Sequence, residues 1–347
     1  MGIIEFGKNP NGERAKRIKS SPNFRDGQFQ NLTDTPQFAE NQNLMGIIVE
    51  KLFKKFPNLR PTSPIPNVKT DLHQLDLKRD VLIWFGHSSY YLQIDGLRIL
   101  VDPAFSGNAF PVSNTIKSFK GSNIYSVSDI PNIDYLLITH DHYDHLDYQT
   151  LIALKSKVKN VICGLGTGSH LEYWGYDARL IIEKDWGENL EIKKDIQLFV
   201  EPARHFSGRG LTRNKTLWVS YVLQTPSMKI YLGGDSGYDS HFAEIGNKHG
   251  PFDLVILENG QYNKSWPYIH MTPDQVLKAA KDLKAKQIFP VHSGKFSLSN
   301  HPWNEPLKML TELNKNSNFS LVTPKIGEVV DIADTNQSFE QWWLDVK

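Results

Sequence analysis

The sequence predicts an α/β, strictly α+β, protein whose two β-sheets pack face to face with helices on their outer sides. Three observations carry this expectation. From Val81 onward, short apolar runs alternate with turn residues, as buried strands require. Hairpin-like pairs early in this region give way to strand and helix patterns in alternation, which puts helices outside a pair of sheets. The chain has 347 residues, 39% hydrophobic and 22% charged, enough to bury a full-sized core, and it shows no short-period repeat of the solenoid or propeller kind.

Taken in order, residues 1–79 read as a basic, irregular N-terminal extension and residues 80–347 as the main domain. Residues 1–70 carry eleven Lys and Arg against six Asp and Glu, among Asn, Pro and Gly, with little periodicity. The exception is Leu44 to Phe56, where Leu44, Ile48, Leu52 and Met45, Val49, Phe56 recur at helical spacing, with Lys51, Lys54 and Lys55 on the remaining surface. A basic amphipathic helix of this kind can rest on an anionic membrane surface, although packing of its apolar face on the main domain is the simpler expectation. Pro57, Pro61, Pro64 and Pro66 then read as an extended linker. Strands are expected at Val81 to Phe85, Tyr90 to Ile94, Leu97 to Val101, Tyr135 to Thr139, Asn160 to Cys163, Ile196 to Glu201, Leu217 to Leu223, Lys229 to Leu232, Leu254 to Leu257 and Gln287 to Val291. Asp95-Gly96 marks a tight hairpin between the second and third. Helices are expected at Tyr148 to Lys157, Ser169 to Trp174, Pro273 to Leu283 behind an N-capping Thr272, and Glu305 to Leu313.

A net charge of +1 removes the simplest argument for a nucleic-acid binder. The single cysteine, Cys163, excludes a disulfide framework and a cysteine-rich zinc ribbon, and it reads as a buried structural thiol. Any bound metal must therefore be held by His and carboxylates. The first residues lack the charged start and apolar run of a signal peptide, and no stretch of 18 apolar residues occurs. A cytoplasmic protein is expected, touching the inner membrane surface only if residues 44–56 do so. Twelve histidines are the unusual feature of the composition.

Directly after the apolar run Tyr135-Leu136-Leu137-Ile138 stands Thr139-His140-Asp141-His142-Tyr143-Asp144-His145. Three imidazoles and two carboxylates in six positions, leaving the end of a buried strand, suit a borderline transition metal such as Zn²⁺, Fe or Mn²⁺ better than a solvated surface loop. This segment is a complete match to His-x-His-x-Asp-His and resembles the metallo-β-lactamase fold hydrolases. The likeness extends to Ala203-Arg204-His205-Phe206-Ser207, Gly233-Gly234-Asp235-Ser236-Gly237 and Pro290-Val291-His292, each after an apolar strand. Trp84-Phe85-Gly86-His87-Ser88-Ser89, Asp102-Pro103-Ala104-Phe105-Ser106, His270-Met271-Thr272-Pro273 and His292-Ser293-Gly294-Lys295-Phe296 narrow the branch. They look like the phospholipases D that hydrolyse N-acylphosphatidylethanolamine and their bacterial relatives, a group similar in turn to ascorbate-phosphate lactonases.

The resemblance implies a four-layer αββα sandwich and a dinuclear centre. One ion would sit on His140, His142 and His205, the second on Asp144, His145 and His292, with Asp235 bridging and Asp102 behind the ligand loop. Asp144 would also orient the nucleophile, a hydroxide shared by two divalent ions, for which zinc is the family expectation. His270 would contact substrate or stabilise developing charge, against the plainer reading of a helix-start residue. His87 reads as the residue of a tight turn near the site, with no ligand role. His73, His241 and His249 read as surface residues, and His170 and His301 fit either role. The substrate expected is a small-molecule or lipid-like phosphodiester, with a phosphorylated sugar lactone as the alternative and a non-catalytic metal-binding membrane-surface module as the reading outside enzymology. Residues 206–216 depart from the lipid enzyme. The aromatic tail Phe339 to Trp343 could cover apolar surface or serve a homo-oligomer.

Overall fold

The computed structural model describes residues 4–112 and 115–347, so the start of the chain, on which the leader reading rests, lies partly outside the described residues. Short β-branched and aromatic runs form the strands of a first sheet: β1 (Val81–Trp84), β2 (Tyr90–Ile94), β3 (Leu97–Val101), β4 (Ile133–Ile138), β5 (Val158–Gly164) and β6 (Ile181–Lys184). The second sheet takes β7 (Asn189–Lys193), β8 (Ile196–Glu201), β9 (Ser220–Gln224), β10 (Lys229–Leu232), β11 (Phe252–Glu258), β12 (Ala285–Val291) and β13 (Ser320–Leu321), and β14 (Val329–Asp331) returns to the first. Asp95 and Gly96, both at positive φ, turn β2 into β3 as the hairpin signal predicts.

The order in the first sheet is β14-β1-β2-β3-β4-β5-β6, antiparallel up to β3 and parallel beyond it. The second runs β13-β12-β11-β10-β9-β8-β7, parallel from β13 to β10 and antiparallel beyond. The two inner faces meet in one core that includes Leu92, Ile99, Leu137 and Ile162 from the first sheet and Leu198, Leu223, Leu232 and Ile256 from the second. Residues that point the other way, such as Ile83, Leu136 and Val161, pack under α3 (Tyr148–Leu154) and α4 (Gly168–Tyr173). Val222, Val255 and Ile288 pack under α5 (His241–Lys248), α6 (Pro273–Asp282) and α7 (Glu305–Asn314). Alternation of side chains on doubly covered strands thus gives the four layers. Thr272 and Gln275 close a capping box in front of Pro273, which fixes where α6 begins and so where His270 stands.

Most expected elements lie within two residues of their observed bounds, the strand at Leu217 to Leu223 starting three residues later at Ser220. Five of these elements were not expected: β6, β7, β13, β14 and α5. The edge strands β6 and β7 are half-exposed and carry Glu183, Lys184, Glu191 and Lys193, which mask an apolar pattern. The three-residue β14 is too short to show one, and α5 hides its buried face behind His241, Asn247 and Lys248. His241 and His249, read as surface residues, are in fact buried, His249 against Glu201 at 2.8 Å. Trp342 and Trp343 are buried in the inter-sheet core, so the aromatic tail covers this chain's own apolar surface.

The extension is not irregular throughout. It holds the unexpected α1 (Gly12–Ser20) and also α2 (Leu44–Phe53), and Ile18, Phe29, Ile65 and Leu72 are buried against the body. The side chains of Leu44, Ile48, Lys51 and Leu52 lie outside the described set. Of the remaining α2 apolar residues, Ile47 is buried while Met45, Val49 and Phe53 face solvent.

Candidate metal centre

The strand ends of both sheets gather the donors at one edge of the sandwich. His140, His142, Asp144 and His145 leave β4, His205 follows β8, Asp235 follows β10 and His292 follows β12. Each lies beyond the last hydrogen-bonded residue of its strand, where a chain can turn its side chains toward the opposite sheet.

The donors fall into two groups. His142 Nδ1 lies 2.9 Å from His140 Nε2 and 3.2 Å from His205 Nε2. Asp144, His145 and His292 form the second group together with His87, all four offering an atom within 4.8 Å of the others. Asp235 lies between them: its carboxylate is 3.2 Å from His145 Nε2 and 3.1 Å from His292 Nδ1, and 3.8 Å from the Nε2 atoms of His140 and His205. A tetrahedral ion with bonds near 2.0–2.1 Å holds its ligand atoms about 3.3 Å apart, so these separations suit a metal. His142 Nε2, His145 Nε2 and Asp235 Oδ1 are buried without a hydrogen bond, a costly arrangement that a cation would relieve. The donor set therefore fits divalent metal, with Asp235 in a position to face both groups.

The surrounding shell fixes these rings. Asp102 Oδ2 takes His145 Nδ1 at 2.8 Å and the Thr139 hydroxyl at 2.6 Å, while Asp102 Oδ1 accepts the Thr139 amide at 2.9 Å. The Ile269 carbonyl accepts His205 Nδ1–H at 2.9 Å, which leaves Nε2 toward the centre. Such partners orient ligands and raise their basicity. Burial, reinforced by like charges nearby, holds His140 well below the usual imidazole range; burial also holds His205 and His292 well below it, in spite of Asp235. Burial works the same way on His145, but Asp235, Asp144 and Asp102 reverse it and hold that imidazole well above its ordinary value.

Glu258 escaped the sequence reading, and His87, read as a turn residue near the site, makes contacts that the turn reading did not include. Glu258, at the end of β11, is fully buried, and its carboxylate accepts Met271 N–H at 2.6 Å and faces His270 Nδ1 at 3.1 Å. Burial pushes Glu258 up to about 7, and His270 is raised because Glu258 outweighs its own burial. His87 is fully buried with Nε2 2.7 Å from Asp144 Oδ2. His170, which fitted either role, is buried behind the His140–His145 loop against Asp141 at 3.4 Å, and His301 accepts the Gln261 amide at 2.8 Å.

A cavity of about 240 Å³ opens beside the donors, with His142, Asp144, Asp235, His270 and His292 on one side. Phe38, Ile47, Phe206, Trp266, Ile269 and Leu298 make the apolar side. Phe38 and Ile47 come from the N-terminal extension, and Asn31 of the same extension binds the backbone of His205 through both ends of its amide. A larger open cavity of about 720 Å³ lies between α1 and α4, lined by Arg14, Arg17, Glu172 and Glu183, and shares no residue with the centre.

The beta-lactamase superfamily domain matches residues 97–293. A protein of Mycobacterium tuberculosis is 37% identical over 94% of this chain and 88% of its own length. An N-acyl-phosphatidylethanolamine-hydrolyzing phospholipase D of Caenorhabditis elegans is 28% identical, covering 72% of this chain and 75% of its own. Among solved structures, CmlA, a diiron beta-hydroxylase from Streptomyces venezuelae, shares the fold at a TM-score of 0.57 and 18% identity, over 73% of this chain and 54% of that one.

Proposed function

The chain belongs to the beta-lactamase superfamily, and from that premise we propose that it is a dinuclear metal-dependent hydrolase acting on a phosphodiester with an apolar substituent. The observation that carries this reading is the cavity in which His142, Asp144, Asp235, His292 and His270 stand opposite aromatic and aliphatic side chains. His140, His142 and His205 would hold one ion, and Asp144, His145 and His292 the other, with Asp235 shared. Divalent ions held there would supply Lewis acidity and make a bound water far more acidic. Zinc is our proposed metal; the same donor types take iron or manganese.

The chain's own residues do the rest. Phe38, Ile47, Phe206 and Trp266 exclude water and seat the apolar part of the substrate. Glu258 accepts Nδ1–H of His270, which leaves Nε2 free to give or take a proton at a substrate oxygen in the cavity. Asp144 aligns the attacking oxygen while His87 holds its other side. We also propose that substrate arrives from an anionic lipid surface met by the exposed side of α2. Met45, Val49 and Phe53 face solvent there, Lys54 and Lys55 follow, and Ile47 of the same helix reaches the cavity.

The test is metal content together with turnover on a panel of phosphodiesters and lactones. We expect metal-dependent phosphodiester cleavage that falls roughly 100-fold or more in Asp144→Asn. Faster turnover on lactones would replace the phosphodiester reading, and unchanged turnover in the variant would remove the enzymatic one.

A further inference from the structure

His87 occupies the turn between β1 and β2 with φ +55°, in the left-handed region where a non-glycine residue is strained. The strain is held in place by three backbone contacts. The His87 amide donates to the Ser293 carbonyl at 3.0 Å, and the His87 carbonyl accepts His292 N–H at 3.0 Å and Trp84 Nε1–H at 2.8 Å. Two of these three contacts lie on the segment that carries His292. A glycine would satisfy the same backbone without strain, so the imidazole is what the position retains.

That ring is fully buried among donors. Its Nε2 lies 2.7 Å from Asp144 Oδ2, the ring leans on His292 at a tilt of 38° with centroids 4.1 Å apart, and Phe296 meets it in a T-shaped contact at 5.2 Å. Nδ1 has no hydrogen bond, which leaves Nε2 as the ring's working atom. His87 therefore touches two members of the Asp144–His145–His292 group. His140, His142 and His205 hold together through contacts that do not involve it.

We propose that His87 is a positioning residue for one half of the metal centre: it donates Nε2–H to Asp144 and ties Asp144 to the His292 segment, so the Asp144–His145–His292 position depends on it and the His140–His142–His205 position does not. The proposal rests on the metal-centre reading given above. It predicts an asymmetry that general loss of stability would not produce, because the two halves share Asp235 and the same sandwich edge.

The experiment is a competition titration of the full-length, metal-free chain with Zn²⁺ against a chromophoric chelator, repeated with Co²⁺ to follow each site by its absorption. Wild type, His87→Asn, His87→Gln, Asp144→Asn and the His87→Asn/Asp144→Asn double variant are compared. Asn tolerates left-handed backbone but is too short to reach Asp144, and Gln restores an amide donor at about the reach of Nε2. The expected result is that His87→Asn weakens one of the two positions by about 10- to 100-fold and leaves the other within about twofold. His87→Gln recovers part of that loss, and the double variant binds like Asp144→Asn alone. Equal weakening of both positions, or an additive double variant, overturns the proposal. If His87→Asn does not fold, His87→Gln binding indistinguishably from Asp144→Asn also overturns it. A wild-type chain that binds no metal overturns the metal-centre reading itself, a result distinct from all of these.

Discussion

Glu258 shows how much one buried side chain decides. Its two carboxylate oxygens face two N–H groups, those of Met271 and of the His270 ring, and a glutamine has only one acceptor to offer. In Glu258→Gln either the Met271 amide faces an NH₂ group or His270 Nδ1 becomes an acceptor and Nε2 carries the proton. We expect kcat to fall about 10- to 100-fold with a smaller change in KM, and the ¹⁵N shifts of His270 in the metal-free protein to report the altered tautomer. Unchanged shifts would remove the orienting role. Lys295 makes a second case: burial pushes its ammonium down to about 7, and Nζ donates to the carbonyls of Phe85 and Ala104. Because the folded state releases this proton about three units before the unfolded chain does, the burden of a buried charge is present in full below about pH 7 and is relieved as pH rises toward 10. Thermal unfolding should show that rise in wild type and lose it in Lys295→Met. The sequence displayed His140 to His145 because five donors crowd six positions. It did not display Glu258, since a glutamate ending an apolar run looks like a strand terminus until the fold brings His270 to it, and it showed His87 as a turn residue near the site but not its contact with Asp144.

At the scale of elements, legibility followed burial. Strands covered on both faces, such as β2, β3 and β10, were read within their bounds, because continuous apolar runs have no other use in a domain of this composition. The edge strands β6 and β7 were missed because half-exposed positions admit charge. The helix α2 was read as a helix, but which way its faces point is a tertiary property. Met45, Val49 and Phe53, spaced four apart, form an outward stripe, with Phe53 84% exposed. Phe53→Glu places a like charge against an anionic lipid head group and removes the aromatic anchor. We expect sedimentation with vesicles rich in phosphatidylglycerol to fall several-fold in this variant, while hydrolysis of a water-dispersed substrate stays near wild type. Equal binding of both proteins to those vesicles would place the lipid contact elsewhere or nowhere on the chain.

For the molecule as a whole, the sandwich edge concentrates charge that neither core nor solvent can satisfy. Asp102, Asp144 and Asp235 are buried within reach of His145, which without a cation keeps a proton because three carboxylates surround it. His140, His205 and His292 are held well below the usual imidazole range, which favours the neutral ring that a metal binds. On the proposed ligand set, metal entry would displace chiefly the proton of His145, and apparent affinity should climb with pH by up to about tenfold per unit while that imidazole remains protonated in the metal-free state. Stability must follow by linkage. At a hundredfold excess of free ion over its Kd, binding adds about 2.7 kcal/mol to the folded state, so Zn²⁺ should raise the unfolding midpoint, a chelator should reverse the gain, and the gain should grow from pH 6 to pH 8. The first sheet supplies Asp144 and His145, the second supplies His205, Asp235 and His292, and the extension braces His205 through Asn31. An ion at this edge thus joins all three parts, and amide exchange should slow on metal loading in both sheets and around Asn31 together. Slowing confined to residues 140–145 would mean that the ligand loop binds metal without closing the sandwich edge.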